Sequence, residues 1–505
     1  MGSLIPETAQ KLFTAEGLKE AAKQSMGILP IPRRLQKAIE NFLQEQEKQN
    51  MKKKVMKLSE TMKEFQNVSR QLESGAGPKA FQDIVDTNNR SRRWKLKTLQ
   101  EDIGLRYKDD EALAYVAARM PAVYSAAHRV LREVARRLPN FSPTKVLDFG
   151  SGPGSVLWSL RSLWSHSITN VNLVEPSKAM SYVNRNLLRD VKGLPVINSY
   201  ENIQALSQHS NKSERDHDLV IASYVLGEIP SLRERITVAR QLWSLTHDIL
   251  VLIEPGTPEG SSTIRQIRSH ILWMEKKKCR KGAIASTEAS KDQESTKDSS
   301  VSSQTGAFVV APCGHDGVCP MDKTGTYCHF VQRLERTHSQ RTYKRSKGKL
   351  RGYEDEKFSF VVLRRGQRPK SAWPLDGMKF DTLKEQHAKR NPEDLVIDYE
   401  DQFESEPEYV TSDDDTDVSH ASDTTEAEDF YEGEKDRPVA DLGSGWGRII
   451  FSPVRRGKHI TMDICHATKR DGSEGSLDRV VISKSKNPTL HHQAHRSFWG
   501  DLWPF

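Results

Sequence analysis

Cysteine is scarce in this chain, and long apolar runs are missing. Five cysteines among 505 residues do not make the disulfide framework of a small secreted domain. No run approaches the ~18 apolar residues of a membrane-spanning helix, so we expect no membrane partner. The apolar fraction is low, at 36%, while charged residues make up 29%. A good part of the chain is therefore expected to lie outside a packed core.

Acidic residues are outnumbered by basic ones, and the net charge is +8. This excess persists although the stretch 398–436 is strongly acidic, poor in aliphatic residues and disordered by composition. A basic surface indicates an anionic partner, most often nucleic acid. The alternative is a basic surface that serves only to keep the protein solvated.

Residues 1–110 are predicted to form basic, amphipathic helices. No apolar signal-peptide core follows the first charges, and Pro6 does not fit the myristoylation pattern. Glu7, Glu16 and Glu20 come too early for an acid-poor transit peptide. The localisation of the protein cannot be read from this end of the chain.

The strongest local pattern is a glycine-rich turn between a strand and a helix. The apolar run Val146–Phe149 leads directly into Gly150, Gly152 and Gly154, and a helical pattern begins at Ser155. Glycine allows the backbone angles of a tight turn and a close approach to a ligand. A dinucleotide site would place its third glycine one residue later, at the position of Ser155.

With Asp148 ahead of it, this turn instead resembles the cofactor-binding turn of class I S-adenosylmethionine-dependent methyltransferases. Glu175 ends the next predicted strand about twenty residues on, where a carboxylate can accept hydrogen bonds from both ribose hydroxyls. A helix-capping role for Glu175 is the alternative. The resemblance implies cofactor contacts from a set of six residues: Asp148, Gly150, Ser151, Gly152, Gly154 and Glu175.

Strands and helices alternate from Lys145 to Ile253, which predicts a parallel sheet with right-handed crossovers. The predicted fold is α/β: a class I methyltransferase-like, doubly wound, mostly parallel sheet with a helical amino-terminal region and a cysteine-ligated metal-cluster insertion. The predicted regions are 1–110, helical and basic; 111–278, the cofactor-binding core; 279–305, a flexible polar insertion; 306–366, the cysteine segment with a sixth strand; 367–436, a largely disordered acidic insertion; and 437–505, a final strand and tail.

The position after the fourth strand, where such enzymes carry catalytic residues, is less informative. Ala222–Pro230 contains neither the Asn/Asp-Pro-Pro-Tyr motif of amine methyltransferases nor a cysteine nucleophile. Glu228 could act as a base, but a single carboxylate at a strand end is more often a cap or a surface group. No catalytic residue is assigned.

Cys313, Cys319 and Cys328 lie in glycine- and proline-containing turns and could wrap a metal. A tetrahedral centre needs a fourth ligand, for which the candidates are Cys465, His315, His329 and His466. The spacing is not the paired Cys-x2-Cys of zinc ribbons, and thiols that pack together by chance are a further alternative. Cys279 is predicted to take no part.

Five segments then occur in one order: the glycine turn, Val251–Pro258, Cys313–Pro320, Tyr353–Phe360 and Phe498–Pro504. Together they resemble the methyltransferase-like protein 17 family of mitochondrial small-ribosomal-subunit assembly factors. The resemblance implies a 4Fe-4S cluster on Cys313, Cys319, Cys328 and Cys465, with zinc as the alternative metal. It also implies a retained S-adenosylmethionine site with weak or lost catalysis, mitochondrial localisation, and small-subunit rRNA and ribosomal proteins as partners. The alternative function is an active rRNA methyltransferase.

Two further stretches carry predictions. Cations recur along a stretch that we call the basic segment, and two tyrosines lie among them. This pattern predicts a surface that follows RNA phosphates. The cations of the basic segment are Arg333, Arg336, Arg341, Lys344, Arg345, Lys347, Lys349, Arg351, Arg364 and Arg365. A plain solvated face is the alternative. Val439–Gly447 nearly repeats the first glycine turn, but too little chain is expected to remain for another sheet, so we assign it no nucleotide.

Overall fold

The computed structural model describes residues 13–46, 50–74, 107–209, 216–229, 231–289, 305–344, 352–390 and 438–505. An eight-stranded sheet forms its centre. The strands are β1 Lys145–Phe149, β2 Asn170–Val174, β3 Val196–Tyr200, β4 His217–Ser223, β5 Thr246–Pro255, β6 Ala307–Ala311, β7 Phe330–Glu335 and β8 Tyr353–Arg365.

The strand order is β3-β2-β1-β4-β5-β8-β6, with β7 also paired to β8. Strands β1 to β5 run parallel, whereas β8 is antiparallel to β5, β6 and β7. The predicted α/β fold with a class I methyltransferase-like, mostly parallel sheet is confirmed. The carboxyl ends of β1, β2 and β4 therefore meet at one edge, where such sheets bind ligands.

Thirteen helices lie among the described residues. They are α1 Ala15–Ala22, α2 Arg33–Glu45, α3 Met51–Ser74, α4 Asp109–Ala118, α5 Met120–Arg137, α6 Ser155–Trp164, α7 Lys178–Leu187, α8 Ile203–His209, α9 Leu232–Ser244, α10 Pro258–Ala289, α11 His338–Tyr343, α12 Leu383–Arg390 and α13 Pro488–His495. Pro121 sits in the first turn of α5, where its missing N–H costs no helical hydrogen bond. None of these helices is long and apolar enough to cross a bilayer.

Side chains of the central strands alternate between two cores. Val146 and Val171 pack with α5 and α6 on one face, while Leu147 and Val220 pack with α9 and α10 on the other. Helix α10 runs past the predicted start of the polar insertion, and residues 290–304 lie outside the described residues. Both faces of the sheet are covered, which suits its nearly continuous apolar strands.

The last part of the chain folds differently from the prediction. Residues 446–504 contribute a second, five-stranded sheet, so the prediction that too little chain remains for one is wrong. Its strands are β9 Trp446–Ile449, β10 Val454–Arg456, β11 His459–Ala467, β12 Gly475–Ser483 and β13 Leu502–Pro504, and all their pairings are antiparallel. Antiparallel strands need only short turns between them, whereas parallel strands need long crossovers. Cys465 therefore lies on β11 of this second sheet and not on a final strand of the main one.

Candidate functional site

A cleft of about 290 Å³ opens at the carboxyl ends of β1, β2 and β4. Of the six predicted contact residues, Gly150, Gly152 and Glu175 line it. Asp148, Ser151 and Gly154 do not line the cleft, although they belong to the same turn. The cleft is close to the lower size limit of small-molecule sites.

The turn shows why glycine is needed at position 152. Gly152 has a φ of +53°, in the left-handed region, and a Cβ added there would meet no atom within 4 Å. The empty space in front of this backbone faces the cleft. Gly154, with a φ of +86°, directly precedes the first residue of α6. The backbone is thus held open to a ligand where a helix begins.

Glu175 is bound by both neighbouring backbone segments. Its Oε2 accepts a hydrogen bond from the Gly152 N–H at 2.8 Å, and its Oε1 accepts one from the Ser177 N–H at 2.8 Å. Burial raises the pKa of Glu175, and these two N–H donors oppose the shift. A carboxylate has about four acceptor positions, so two remain for a ligand. Glu175 therefore lines the cleft and also fixes the entry to α7.

Asp148 is a different kind of carboxylate. It is fully buried, and neither of its oxygens has a hydrogen-bond partner among the described residues. Burial, with a smaller contribution from the Glu175 charge, raises the pKa of Asp148 to about 8. Such an unsatisfied buried acid is rare in a folded protein and concentrates at functional sites.

The far wall of the cleft contains residues that the sequence did not single out. Tyr224 follows β4 and has a φ of +59°, which is unusual for a bulky residue. Its hydroxyl donates to Glu356 at 2.7 Å, and Arg119 binds the same carboxylate through two nitrogens at 2.6 and 2.7 Å. Tyr224 lies in the stretch after the fourth strand where methyltransferases carry catalytic residues. That position is the only feature of the sequence that pointed to it.

Glu228, the one candidate base, is already engaged. The Tyr107 hydroxyl donates to its carboxylate at 2.6 Å. Burial and then the Glu228 charge raise the pKa of Tyr107. Nearby, Glu254 accepts hydrogen bonds from the N–H groups of Leu226 and Gly227, and burial raises its pKa to about 7. These contacts fix the loop after β4 and engage the one candidate base, Glu228.

The charge of the cleft lining is one-sided. Among the described residues, Glu175, Glu201 and Glu228 line it, and no lysine, arginine or histidine does. Such a wall repels phosphate groups and attracts a cation. A sulfonium ligand fits this lining, whereas the pyrophosphate of a dinucleotide does not.

A second site lies where the loop after β6 meets β11. The Sγ atoms of Cys313 and Cys465 and a ring nitrogen of His315 all lie within 4.8 Å of one another, and all three residues are buried. His315 Nε2 is 3.3 Å from Cys465 Sγ. The structure thus unites two predicted ligands with a histidine that was an alternative fourth ligand.

Cys319 and Cys328 are outside this compact group but share its environment. Burial and then the charge of Cys313 raise the pKa of Cys319 to about 11, and the same two causes raise the pKa of Cys328. A hydrogen bond with Cys465 holds the pKa of Cys313 well below its usual value. The hydrogen bond with Cys313 and then burial raise the pKa of Cys465 well above its usual value, while the Arg268 charge lowers the pKa of Cys313 and opposes the rise at Cys319.

The other candidate ligands are engaged elsewhere. His329 stacks on Tyr327 with ring centres 4.7 Å apart, and His466 Nε2 lies 2.7 Å from Asp478. Cys279 lies on α10 and does not join the compact group. His315 is therefore the strongest alternative to a fourth thiolate.

The described part of the basic segment is largely paired with carboxylates. Arg333 binds Asp355 at 2.8 Å, and Arg336 and Lys344 bind Glu354 at 3.3 and 2.8 Å. Arg364 binds Asp248 at 2.7 Å. Residues 345–351 of the segment lie outside the described residues. The paired cations favour the solvated-face alternative for this strip.

Comparison with known proteins gives one consistent result. The family model described as mitochondrial small ribosomal subunit Rsm22 matches residues 109–287, 295–382 and 403–504. The human mitochondrial ribosome assembly protein METTL17 is 32% identical over 274 residues, which are 54% of this chain and 52% of that protein. The mitochondrial ribosome assembly protein RSM22 of Saccharomyces cerevisiae is 23% identical over 453 residues, covering 78% of this chain and 67% of its own. The chain thus matches about half the length of the human relative.

Solved structures are more distant. The magnesium protoporphyrin IX methyltransferase of Synechocystis, with bound S-adenosylmethionine, is 19% identical with a TM-score of 0.23, covering 33% of this chain and 74% of its own. A similarity at this level carries no information on ligand or activity.

Proposed function

Because this chain belongs to the mitochondrial small ribosomal subunit Rsm22 family, we propose that it is a mitochondrial assembly factor of the small ribosomal subunit. In this role it binds rRNA and ribosomal proteins, holds S-adenosylmethionine in the cleft and carries a 4Fe-4S cluster on cysteines. Its relatives from human and yeast are named mitochondrial ribosome assembly proteins.

The cleft is the single observation that supports cofactor binding. The open backbone at Gly152, the Glu175 carboxylate beside it and a cation-attracting lining all suit S-adenosylmethionine. Gly152 and Glu175 would hold the nucleoside, and bound S-adenosylmethionine supplies an electrophilic methyl group. Binding of the ligand is expected whether or not that methyl group is transferred.

Titration calorimetry tests the cleft. The chain should bind S-adenosylmethionine, and Gly152→Asp should abolish the heat because its carboxylate would enter the open space. Gly193→Asp is the matched control, since it makes the same substitution at an exposed glycine that also has a positive φ, of +67°, and open space in front of it, but lies outside the cleft lining. Equal affinity in the wild type and Gly152→Asp would contradict the proposed site.

The alternative, an active rRNA methyltransferase, has one observation in its favour. Tyr224 holds an uncommon backbone conformation in the cleft, and strain of this kind collects at active sites. Mass mapping of rRNA from cells that carry Gly152→Asp separates the two functions. Loss of one methyl mark with normal subunit levels supports the enzyme, and unchanged marks with reduced subunit levels support the assembly factor.

The compact group of Cys313, His315 and Cys465 supports a metal or cluster, with Cys319 and Cys328 close enough to feel the charge of Cys313. Four thiolates, on Cys313, Cys319, Cys328 and Cys465, would hold a 4Fe-4S cluster, with His315 as the competing ligand. Zinc remains the alternative, since a thiolate and imidazole set also suits zinc. Either metal would link the loop after β6 to β11 and so contribute folding energy.

Elemental and visible-absorption analysis of anaerobically purified protein distinguishes iron and sulfide from zinc. We expect Cys465→Ser to lower cluster occupancy and melting temperature about as much as Cys313→Ser, while Cys279→Ser, the control, changes neither. Full iron and sulfide content in Cys465→Ser, with His315→Ala depleted instead, would move the fourth ligand to His315.

A further inference from the structure

A cationic hollow lies between the first and last helices, far along the sequence from the basic segment. It has a volume of about 310 Å³ and is formed by α1, by the last turn of α13 and by the residues that follow α13. Lys19, Lys23 and Arg496 line it, together with His495 and Phe498. None of these three cations makes an ion pair with a carboxylate of the described residues.

The one acid of the described residues that lines this hollow, Asp501, offsets only part of its charge, because three cations accompany a single carboxylate. Asp501 accepts hydrogen bonds from the backbone N–H groups of Gln24, Ser25 and Phe498 at 2.8, 2.5 and 2.9 Å. Its carboxylate therefore serves to join α1 to the carboxyl-terminal turn. Burial lowers the pKa of His492, and the charges of Arg496 and Lys19 lower it further. The electrostatic field around this helix end is therefore net positive.

A fourth cation is fixed at the rim by the backbone. Arg455, on the exposed strand β10, donates through Nε to the His495 carbonyl at 2.9 Å and through Nη2 to the Ser497 carbonyl at 2.7 Å. Its guanidinium keeps its charge in both contacts, because each acceptor is neutral. Arg456 and Lys458 follow in the same exposed hairpin. The cationic surface thus continues from the hollow onto the second sheet.

An aromatic ring stands in this cationic surface. Phe498 is 52% exposed, although a large apolar side chain is normally covered, and the Arg455 guanidinium lies 5.6 Å from its ring centre. Proteins that bind single-stranded nucleic acid combine cations that follow the backbone with exposed aromatic rings on which bases stack. Duplex RNA offers no such unstacked base to a ring in a hollow.

We propose that this surface, formed by Lys19, Lys23, Arg455, Arg496 and Phe498, binds single-stranded RNA, with phosphates on the cations and one unpaired base on the Phe498 ring. This assignment rests on the RNA-binding role proposed above and gives it a location outside the basic segment. Most of the described cations of that segment pair with carboxylates, whereas Lys19, Lys23 and Arg496 make no ion pair among the described residues and outnumber the one acid of the hollow. Charge complementarity therefore favours the hollow as the phosphate contact.

Fluorescence anisotropy with a labelled single-stranded RNA of about twelve nucleotides tests the proposal on the full chain. The triple variant Lys19→Gln, Lys23→Gln, Arg496→Gln should weaken binding at least tenfold and reduce the salt slope by about two, since each single-strand phosphate contact contributes about 0.7. The matched control is Arg333→Gln, Lys344→Gln, Arg364→Gln, which also removes three cations and should change affinity less than threefold.

The stacking contact has its own test. Phe498→Leu keeps an apolar side chain but removes the ring, and it should weaken single-strand binding about tenfold while leaving the weaker binding of a duplex of the same length unchanged. Phe498→Trp should restore single-strand affinity. Because Phe498 is half exposed, both variants should keep the wild-type melting temperature.

Three outcomes would contradict the proposal. RNA binding by the wild type with no loss in the triple variant or in Phe498→Leu overturns this surface and leaves the RNA-binding role intact. No RNA binding by the wild type overturns that role itself. Loss of binding to a purified ribosomal protein, with unchanged RNA affinity, would assign the surface to a protein partner.

Discussion

The two glycine motifs of this chain have almost the same letters and opposite structural roles. Asp148–Gly154 turns from a central parallel strand into helix α6, and all three of its glycines have positive φ. Asp441–Gly447 leads into the antiparallel strand β9, and none of its three glycines has a positive φ. A short motif therefore does not define a ligand site without the elements on either side of it.

The difference starts in the residues that follow. After Gly154 come Ser155–Trp164, with helical spacing of apolar residues and no β-branched run. After Gly447 come Arg448 and the β-branched pair Ile449 and Ile450, which favour a strand. The first motif opens onto a cleft, whereas the second packs between Trp373 and the second sheet.

The largest effect is expected at Arg448, next to the second motif. Its buried guanidinium binds Glu133 and donates to the carbonyls of Pro312 and Gly500 at 2.9 and 2.7 Å. Arg448→Met should lower the free energy of unfolding in urea by about 4 kcal/mol, because it leaves buried acceptors unpaired. Arg470→Met, which removes an exposed ion pair with Asp376, is the control and should leave the free energy of unfolding nearly unchanged, because water screens exposed pairs. Equal losses of stability in Arg448→Met and Arg470→Met would contradict a structural role for the buried contacts of Arg448.

Asp148, at the start of the first motif, should make the stability of the protein depend on pH. Its folded pKa of about 8 exceeds the unfolded value of about 3.9, so the folded chain holds a proton that the unfolded chain has lost between these values. The contribution of Asp148 to the free energy of unfolding should therefore be fully present below about pH 4 and be lost as pH rises toward 8. Asp148→Asn should remove on the order of 3 kcal/mol of the decline between pH 5 and pH 8.

The measurement is thermal unfolding of both proteins across that range. The matched variant is Asp441→Asn, whose Oδ1 still accepts from the Gly443 N–H. It should leave the wild-type pH profile in place. An unchanged profile in Asp148→Asn would mean that another group titrates in this window.

Gly445→Ala tests close packing in the second motif. A Cβ at this position would lie 2.5 Å from Pro374 Cδ and 2.9 Å from Trp373 Cγ, so the neighbours must move. We expect a loss of about 2 kcal/mol in urea unfolding with unchanged affinity for S-adenosylmethionine. A neutral effect on stability would indicate that this loop adjusts freely.

Gly152→Ala should lower stability less than Gly445→Ala does, but it should weaken the binding of S-adenosylmethionine more. The added methyl group meets no atom, so only the left-handed backbone is penalised, by about 1 kcal/mol. Calorimetry should show that S-adenosylmethionine binds at least tenfold more weakly. If Gly152→Ala and Gly445→Ala behaved alike in both assays, the two motifs would not differ in role.

Much of the first motif could be predicted because its information is local. The strand, the turn and the helix start follow one another in the chain, and Glu175 meets Gly152 because adjacent parallel strands end at one edge. The interpretation of the second motif as a site without nucleotide stays a prediction, but the reason given for it was wrong. Its antiparallel strands are joined by short turns, so a sheet fits into a stretch that would be too short for parallel strands and their crossovers.

The sequence by itself determined the α/β order of the main sheet, the glycine turn with Glu175, and the set of cysteines from which a metal centre could be built. Only the tertiary structure brought Cys465 beside Cys313 and His315, since Cys465 lies on β11 of the second sheet and the other two lie in the loop after β6 of the main sheet. It also paired the basic segment with acids, because the register of β7 and β8 sets Arg333 opposite Asp355. Charge and ligand geometry depend on contacts between distant parts of the chain, which composition and spacing do not encode.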